Sequence, residues 1–144
     1  MISVERTRTI NAPVEKVRAA LSDPQQLQQT MPGVRSVEIL SRTGDQARVA
    51  ITTGMTFPGT DRFEGDAIVT PEGMRFNAAQ PMPLALDLTA VPHGDGSEVT
   101  ARIETDLPPG LGAMARFIPQ QMIEGRIGVE LDRALERLER VVRG

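Results

Sequence analysis

Hydrophobic and polar residues alternate over the first ten positions, with Ile2, Val4 and Ile10 of one parity, and this pattern predicts a strand. Arg6 and Arg8 fall on the same parity, so the strand is expected to carry either a bulge or a polar end to its inner face. At "NAPVEKVRAALSD" the period changes to that of a helix. Val14, Val17 and Leu21 share a face with Ala20 beside them, Pro13 suits the first helical position, and Glu15 lies where the helix dipole favours a carboxylate. "DPQQLQQTM" predicts a second short helix, capped by Asp23 with Pro24 first and Gln26 third. Pro32 and Gly33 end it. Pro32 fixes φ, Gly33 permits a φ that other residues avoid, and the pair turns the chain from helix into strand.

From Val34 to Leu107 the period stays close to two. Val37 and Ile39 share a parity, as do Val49 and Ile51, then Phe63, Ala67 and Val69, then Met74, Phe76 and Ala78. Leu84, Leu86 and Leu88 follow, then Val99, Ala101, Ile103 and Leu107, while Arg48, Glu64, Asp66, Arg75, Asp87, Arg102 and Glu104 occupy the opposite faces. Each run reads as a strand with one wet face. The breaks "RTGDQ", "PEG", "QPMP" and "PHGDG" are turn chemistry, and short turns between successive strands predict an antiparallel meander of six strands, seven with the first. Pro119 interrupts the closing segment, which predicts a short turn at 111–117 and one helix over about 119–142. Ile123, Ile127, Leu131, Ala134, Leu135, Leu138 and Val142 form its apolar stripe; Glu136–Arg140 and Glu139–Arg143 are i,i+4 pairs on its outer side. The terminal arginines follow salt-bridge spacing and read as solvated, well placed at a helix C-terminus. Such a helix is long enough to cover the apolar side of a curved sheet.

The chain of 144 residues is read as a single domain, residues 1–144, able to bury one sizeable core. A net charge of −3 gives no bulk attraction to nucleic acid or anionic lipid. The absence of cysteine excludes disulfides and thiolate sites, and no apolar run predicts a signal core or membrane span, so a cytoplasmic location is expected. Without Trp or Tyr, aromatic surface comes from four Phe alone, and seven Met help to fill the interior.

The element order, together with "INAPVEKVRAALSDPQQL", resembles the helix-grip superfamily that includes START proteins, the major birch pollen allergen and polyketide cyclases. Its members commonly show "I-x-A-P-x-x-x-V-W-x-x-L-x-D-P"; Ile10, Ala12, Pro13, Val17, Leu21, Asp23 and Pro24 match, and Arg18 replaces the usual Trp. Within it, "MPGVRSVEIL" and "DRFEGDAIV" look like the G-subunit family of carbon monoxide dehydrogenase, through Pro32, Gly33, Arg62, Phe63 and Gly65; that family's Gly-rich segment is missing. The resemblance implies an α+β helix-grip fold: a seven-stranded curved antiparallel sheet, two short helices after the first strand, and a long C-terminal helix across the concave face. It further implies accessory or lipophile-binding proteins without a shared catalytic set.

Candidate chemistry is sparse. His93 in "VPHGDG" sits in turn chemistry, no second histidine exists to make a metal pair, and neither a metal nor another cofactor is expected. Glu64 and Asp66 alternate to a wet face, whereas Asp61 shares the parity of Phe63 and is the best inward general acid or base; Arg6 and Arg8 are the other inward charges. "GMTFPGT" lacks the Lys and Ser/Thr of a phosphate loop. Gly125 and Gly128 lie within the last helix and leave room either for a void or for close packing on the sheet. The expected site has no catalytic residues and is a cavity between sheet and C-terminal helix, lined by Met31, Phe63, Phe76, Leu86, Ile103, Met122, Ile123 and Gly125. The corner at Pro32-Gly33 is then either a plain helix stop or that cavity's mouth. The leading expectation is a non-enzymatic carrier of a hydrophobic small molecule of lipid, quinone or polyketide type. The alternatives are a polyketide cyclase or dehydratase, or an accessory module docking on a partner oxidoreductase through Met55, Phe57 and Pro58, with a transient membrane contact as a further partner.

Overall fold

The computed structural model describes residues 2–31, 33–54, 61–80, 82–106 and 117–143. β1 (Ile2–Ile10) leads through α1 (Val14–Leu21) and α2 (Gln26–Thr30) into β2 (Val34–Thr43), β3 (Gln46–Thr53), β4 (Arg62–Thr70), β5 (Gly73–Ala78), β6 (Leu84–His93) and β7 (Gly96–Thr105); α3 (Gln120–Arg143) follows. The strands form one antiparallel sheet in the order β1-β7-β6-β5-β4-β3-β2. The expected α+β helix-grip architecture is therefore present. Pro32, the loop tip Met55, Phe57 and Pro58, Leu107 and nearly all of the turn expected at 111–117 lie outside the described residues.

The meander forms because each strand has one apolar face and each connection supplies its turn. Gly44 and Gly94 adopt a φ of 58° at the first central position of two-residue hairpins, where a side chain would be strained. Polar faces are tied across strands: Arg75 Nε reaches Asp87 at 2.6 Å and Arg48 sits 3.4 Å from Asp66, while Arg102 pairs with Glu104 along β7 itself. The inner faces bury Val49, Phe63, Ala67, Met74, Phe76, Leu86, Leu88, Val99 and Ala101. α1 adds Val14, Val17 and Leu21, and α3 adds Leu131, Ala134, Leu135, Leu138 and Val142. Arg18 donates from Nε to the carbonyl of Ala90 in β6 at 3.0 Å.

Of the two alternatives for β1 the polar end to its inner face holds, and two other local expectations are revised. β1 has no bulge: its pairing with β7 runs unbroken from Ile2 opposite Thr105 to Ile10 opposite Ser97. Arg6 and Arg8 keep the inner parity because α3 supplies carboxylates there. Gly33 does not use a left-handed φ, since among the described residues only Gly44 and Gly94 do. Its neighbour there is a side chain of α3: a Cβ at Gly33 would stand 3.3 Å from Glu130 Oε2, so a larger residue would push that carboxylate slightly aside. Asp61 is exposed and is not an inward group; it holds the chain through its carbonyl, which accepts from Thr53 N at 2.8 Å.

Candidate functional site

Strand register assembles the inner face row by row. Ala47 lies opposite Ala67, Ala67 opposite Phe76, Phe76 opposite Leu86, Leu86 opposite Ile103, and Ile103 opposite Val4. One apolar row thus crosses six strands. The next row runs Val69, Met74, Leu88, Ala101 and ends on Arg6. Along β6, Leu84, Leu86 and Leu88 join the rows into a wall, because residues two apart share a face. Phe63 lies one step beyond, opposite Ile51.

α3 covers this wall unevenly. Its closest partner in the sheet is β1, with lesser contact to β7 and to α1 and α2. Arg8 donates from Nη2 to Glu139 Oε1 at 2.8 Å and from Nε at 3.2 Å, and Arg6 Nε stands 3.7 Å from Asp132. The Arg8 pKa is raised above its ordinary value, first by the hydrogen bond to Glu139 and then by that carboxylate's charge. These pairs put α3 and β1 in the same direction, since rising numbers on one meet rising numbers on the other. The beginning of α3 accordingly heads toward the end of β1 where Val4 meets Ile103. There Ile123, Ile127, Leu84 and Ile103 are only partly buried while packing against the core. Gly128 has a local reason: a Cβ there would run into the Arg6 guanidinium, which crosses the helix at that point.

The expected site residues separate into two groups. Phe63, Phe76 and Leu86 are buried on the inner face, Ile103 and Ile123 are half-buried at its end, and Met31 is buried where α2 closes. Met122 is 65% exposed, and Gly125 faces open space, with no atom within 4 Å of where a Cβ would stand. Helical spacing explains the difference. At roughly 100° per residue, Met122 lies opposite Leu131, and Gly125 sits far from the stripe of Ile123, Ile127, Leu131 and Leu138.

Where α1, α2, β6 and α3 meet, Leu21, Leu27, Leu88 and Leu138 surround a cavity of ≈ 10 Å³, about the room that one water needs. Gln26 and Thr30 also line it. Thr30 Oγ1 is satisfied by the carbonyl of Gln26 at 2.9 Å, but Gln26 Oε1 is buried without a hydrogen-bond partner. Sequence reasoning used Gln26 only as a helix-start residue and missed it here; its polarity inside an apolar ring becomes visible only once β6 and α3 are in place. A wider concavity of ≈ 550 Å³ lies beside the outer face at β3–β5, lined by Arg48, Glu64, Asp66, Asn77 and Gln80 among others. Its charges answer one another, with Arg48 3.6 Å from Glu64 and 3.4 Å from Asp66, and it opens on water, so the apolar inner face is the better candidate despite its smaller void. His93 ends β6 on the surface, its Nδ1 3.9 Å from Glu98, and the described residues contain no group of His, Asp or Glu fit to hold a metal.

Residues 1–143 match the family described as "Polyketide cyclase / dehydrase and lipid transport". A comparison with curated proteins finds no match. Among solved structures, a START superfamily protein from Mycobacterium smegmatis is 19% identical, with 98% of this chain and 97% of that chain covered and a TM-score of 0.71. A STAR-related lipid transfer protein from Xanthomonas axonopodis is 18% identical over 97% of this chain and 85% of that chain, TM-score 0.69. The Zhui aromatase/cyclase from Streptomyces is 17% identical over 98% and 93%, TM-score 0.66. At these identities the likeness is one of fold.

Proposed function

The chain belongs to the polyketide cyclase/dehydrase and lipid transport family, and we propose that its role there is to bind and carry a hydrophobic small molecule of lipid, quinone or polyketide type, without catalysis. The observation that carries this reading is the continuous apolar wall of Phe76, Leu86, Ile103 and Val4, with Ile123 and Ile127 of α3 only partly buried against the same core. Burial of a ligand against that wall supplies affinity at roughly 25 cal/mol per Å² before ordering costs are subtracted. Gln26 Oε1, a lone acceptor in an apolar ring, suits a ligand with one hydroxyl at its end. The void at that ring is far below the roughly 300–1,000 Å³ of small-molecule sites. Uptake therefore needs the weakly packed beginning of α3 to move away from Leu84 and Ile103. Likeness to lipid transfer proteins supports the carrier; likeness to an aromatase/cyclase supports an enzyme as the second reading. The Pro32-Gly33 corner and the Arg62, Phe63, Gly65 pattern support a place near the G-subunit family of carbon monoxide dehydrogenase, with an accessory role for a partner oxidoreductase.

Native mass spectrometry of freshly purified protein tests the proposal. A noncovalent adduct lost on denaturation is expected, together with saturable binding of an apolar fluorescent probe that Ile103→Glu abolishes. No adduct and no saturable probe binding by the folded protein would overturn the carrier reading. Conversion of the extracted lipophile or of a cyclase-type substrate by the protein would replace it with the enzyme.

A further inference from the structure

α3 carries five arginines and five carboxylates, so the helix as a whole is neutral. The two signs are unevenly distributed in space. Asp132 faces Arg6, and Glu139 is bound to Arg8. Glu130 lies against Gly33, and Glu124 Oε1 accepts from Gln120 Nε2 at 2.9 Å. Glu136 is left to face Arg126, Arg133, Arg137, Arg140 and Arg143 on the outer side. At roughly 100° per residue, those five arginines fall within about 60° of the line through Met122. Arg143 reaches Glu139 at 3.9 Å; the i,i+4 pair expected between Glu136 and Arg140 does not form, and Arg126, Arg133, Arg137 and Arg140 have no ion pair among the described residues. Apolar side chains share the face: Met122 and Val129 are 65% and 49% exposed, and Phe117, just before the helix, is 81% exposed.

We propose that this outer face of α3 docks on the surface of an anionic phospholipid bilayer. The charge is complementary: these four guanidinium groups along about 21 Å of helix, from Arg126 to Arg140, present a cationic strip on a protein of net charge −3. The apolar groups decide between anionic partners. Phe117, Met122 and Val129 fit the headgroup–acyl boundary, and arginine stems lie along it with their heads among phosphates. A nucleic acid would match the arginines and leave those three side chains in water. The docked face is opposite the one that meets the sheet, so the proposal does not rest on the protein carrying a ligand.

Vesicle flotation tests it, with phosphatidylcholine alone and with phosphatidylcholine plus phosphatidylglycerol. Binding to the second and not the first is expected, weakening as salt rises. Each arginine near an anionic surface strengthens binding roughly five-fold, so Arg133→Glu with Arg137→Glu should weaken it by at least about 25-fold. Both positions are exposed, and an unchanged unfolding temperature checks that the variant is folded. Met122→Ser should weaken vesicle binding without changing its salt dependence. Failure to bind anionic vesicles, or binding that the double reversal leaves intact, would overturn the proposal. So would salt-sensitive binding to a short RNA that the reversal abolishes while vesicles are not bound at all.

Discussion

Gly125→Ala should stabilise this protein. A glycine inside a helix is less favourable than alanine by roughly 0.8–1.0 kcal/mol, because it leaves more backbone freedom to be lost on folding. Whether that gain appears depends on what the new methyl group meets. At Gly125 it meets nothing within 4 Å, so no steric cost offsets the gain. With an unfolding entropy of roughly 2.1 cal/mol/K per residue, a chain of 144 residues converts about 1 kcal/mol into a rise of about 3 °C in Tm. Gly128→Ala, three residues on, is the control. The same gain is expected there, but the methyl group displaces the Arg6 guanidinium from Asp132, an exposed pair worth at most about 1 kcal/mol, so the two effects nearly cancel. Thermal unfolding followed by far-UV circular dichroism compares the variants directly, and the apolar probe should bind Gly125→Ala as it binds the parent. A lower Tm for Gly125→Ala, or loss of probe binding at unchanged stability, would refute the placement of Gly125 outside both core and site.

Gly65→Ala should act in the opposite sense, destabilising by about 1–3 kcal/mol in chemical denaturation, because its methyl group would collide with the backbone carbonyl of Asn77 on the paired strand. Stability equal to the parent would show that β4 and β5 can separate there at no cost. Arg8→Met should cost no more than about 1 kcal/mol, since Arg8 is 39% exposed, and the loss should shrink in high salt; a larger, salt-independent loss would mean that the pair with Glu139 fastens α3 as buried ion pairs do. His93→Ala and Asp61→Asn should keep probe binding within a few-fold, because both residues are exposed. A fall in turnover of on the order of 10²–10⁴ in either variant, with binding retained, would identify a general acid or base and an enzyme.

Why some of this is visible in the chain and some is not follows from how far each feature reaches. The strands are legible because each has one wet face, so the alternation that defines it is written within ten residues. Arg6 and Arg8 break the alternation of β1, and a bulge or a polar end to its face is all that the strand itself can offer in explanation. The actual one lies more than a hundred positions away, in Asp132 and Glu139, and no period within the strand reports it. Glycines show the same division. A Cβ at Gly65 would meet a carbonyl of the next strand, one at Gly128 an arginine of the first strand, one at Gly33 a glutamate of the last helix, and one at Gly125 no neighbour at all. Met122 differs, because its exclusion from the apolar stripe follows from helical spacing alone.

The two faces of α3 have a common origin. Placing arginines inside β1 requires carboxylates on the side of α3 that meets the sheet. A helix that commits Asp132 and Glu139 to Arg6 and Arg8, with Glu130 at the Gly33 corner, leaves its own arginines with little other negative charge nearby. The inner charge pairs also set where α3 holds firmly. Its second half buries Leu131, Leu135 and Leu138 and is paired to β1 through Arg6 and Arg8, whereas its beginning rests on half-buried Ile123 and Ile127. That beginning is the part that must shift if a ligand is to reach Leu86 and Ile103, and the exposed Phe117 and Met122 lie beside it. A bilayer that took up Phe117 and Met122 would pull on α3 at its weakly held end. Ligand uptake should then be faster from anionic vesicles than from neutral ones, and the double reversal at Arg133 and Arg137 should remove the difference without changing affinity for the soluble probe. Equal uptake rates from both kinds of vesicle would separate the two faces of α3 and leave docking without a part in loading.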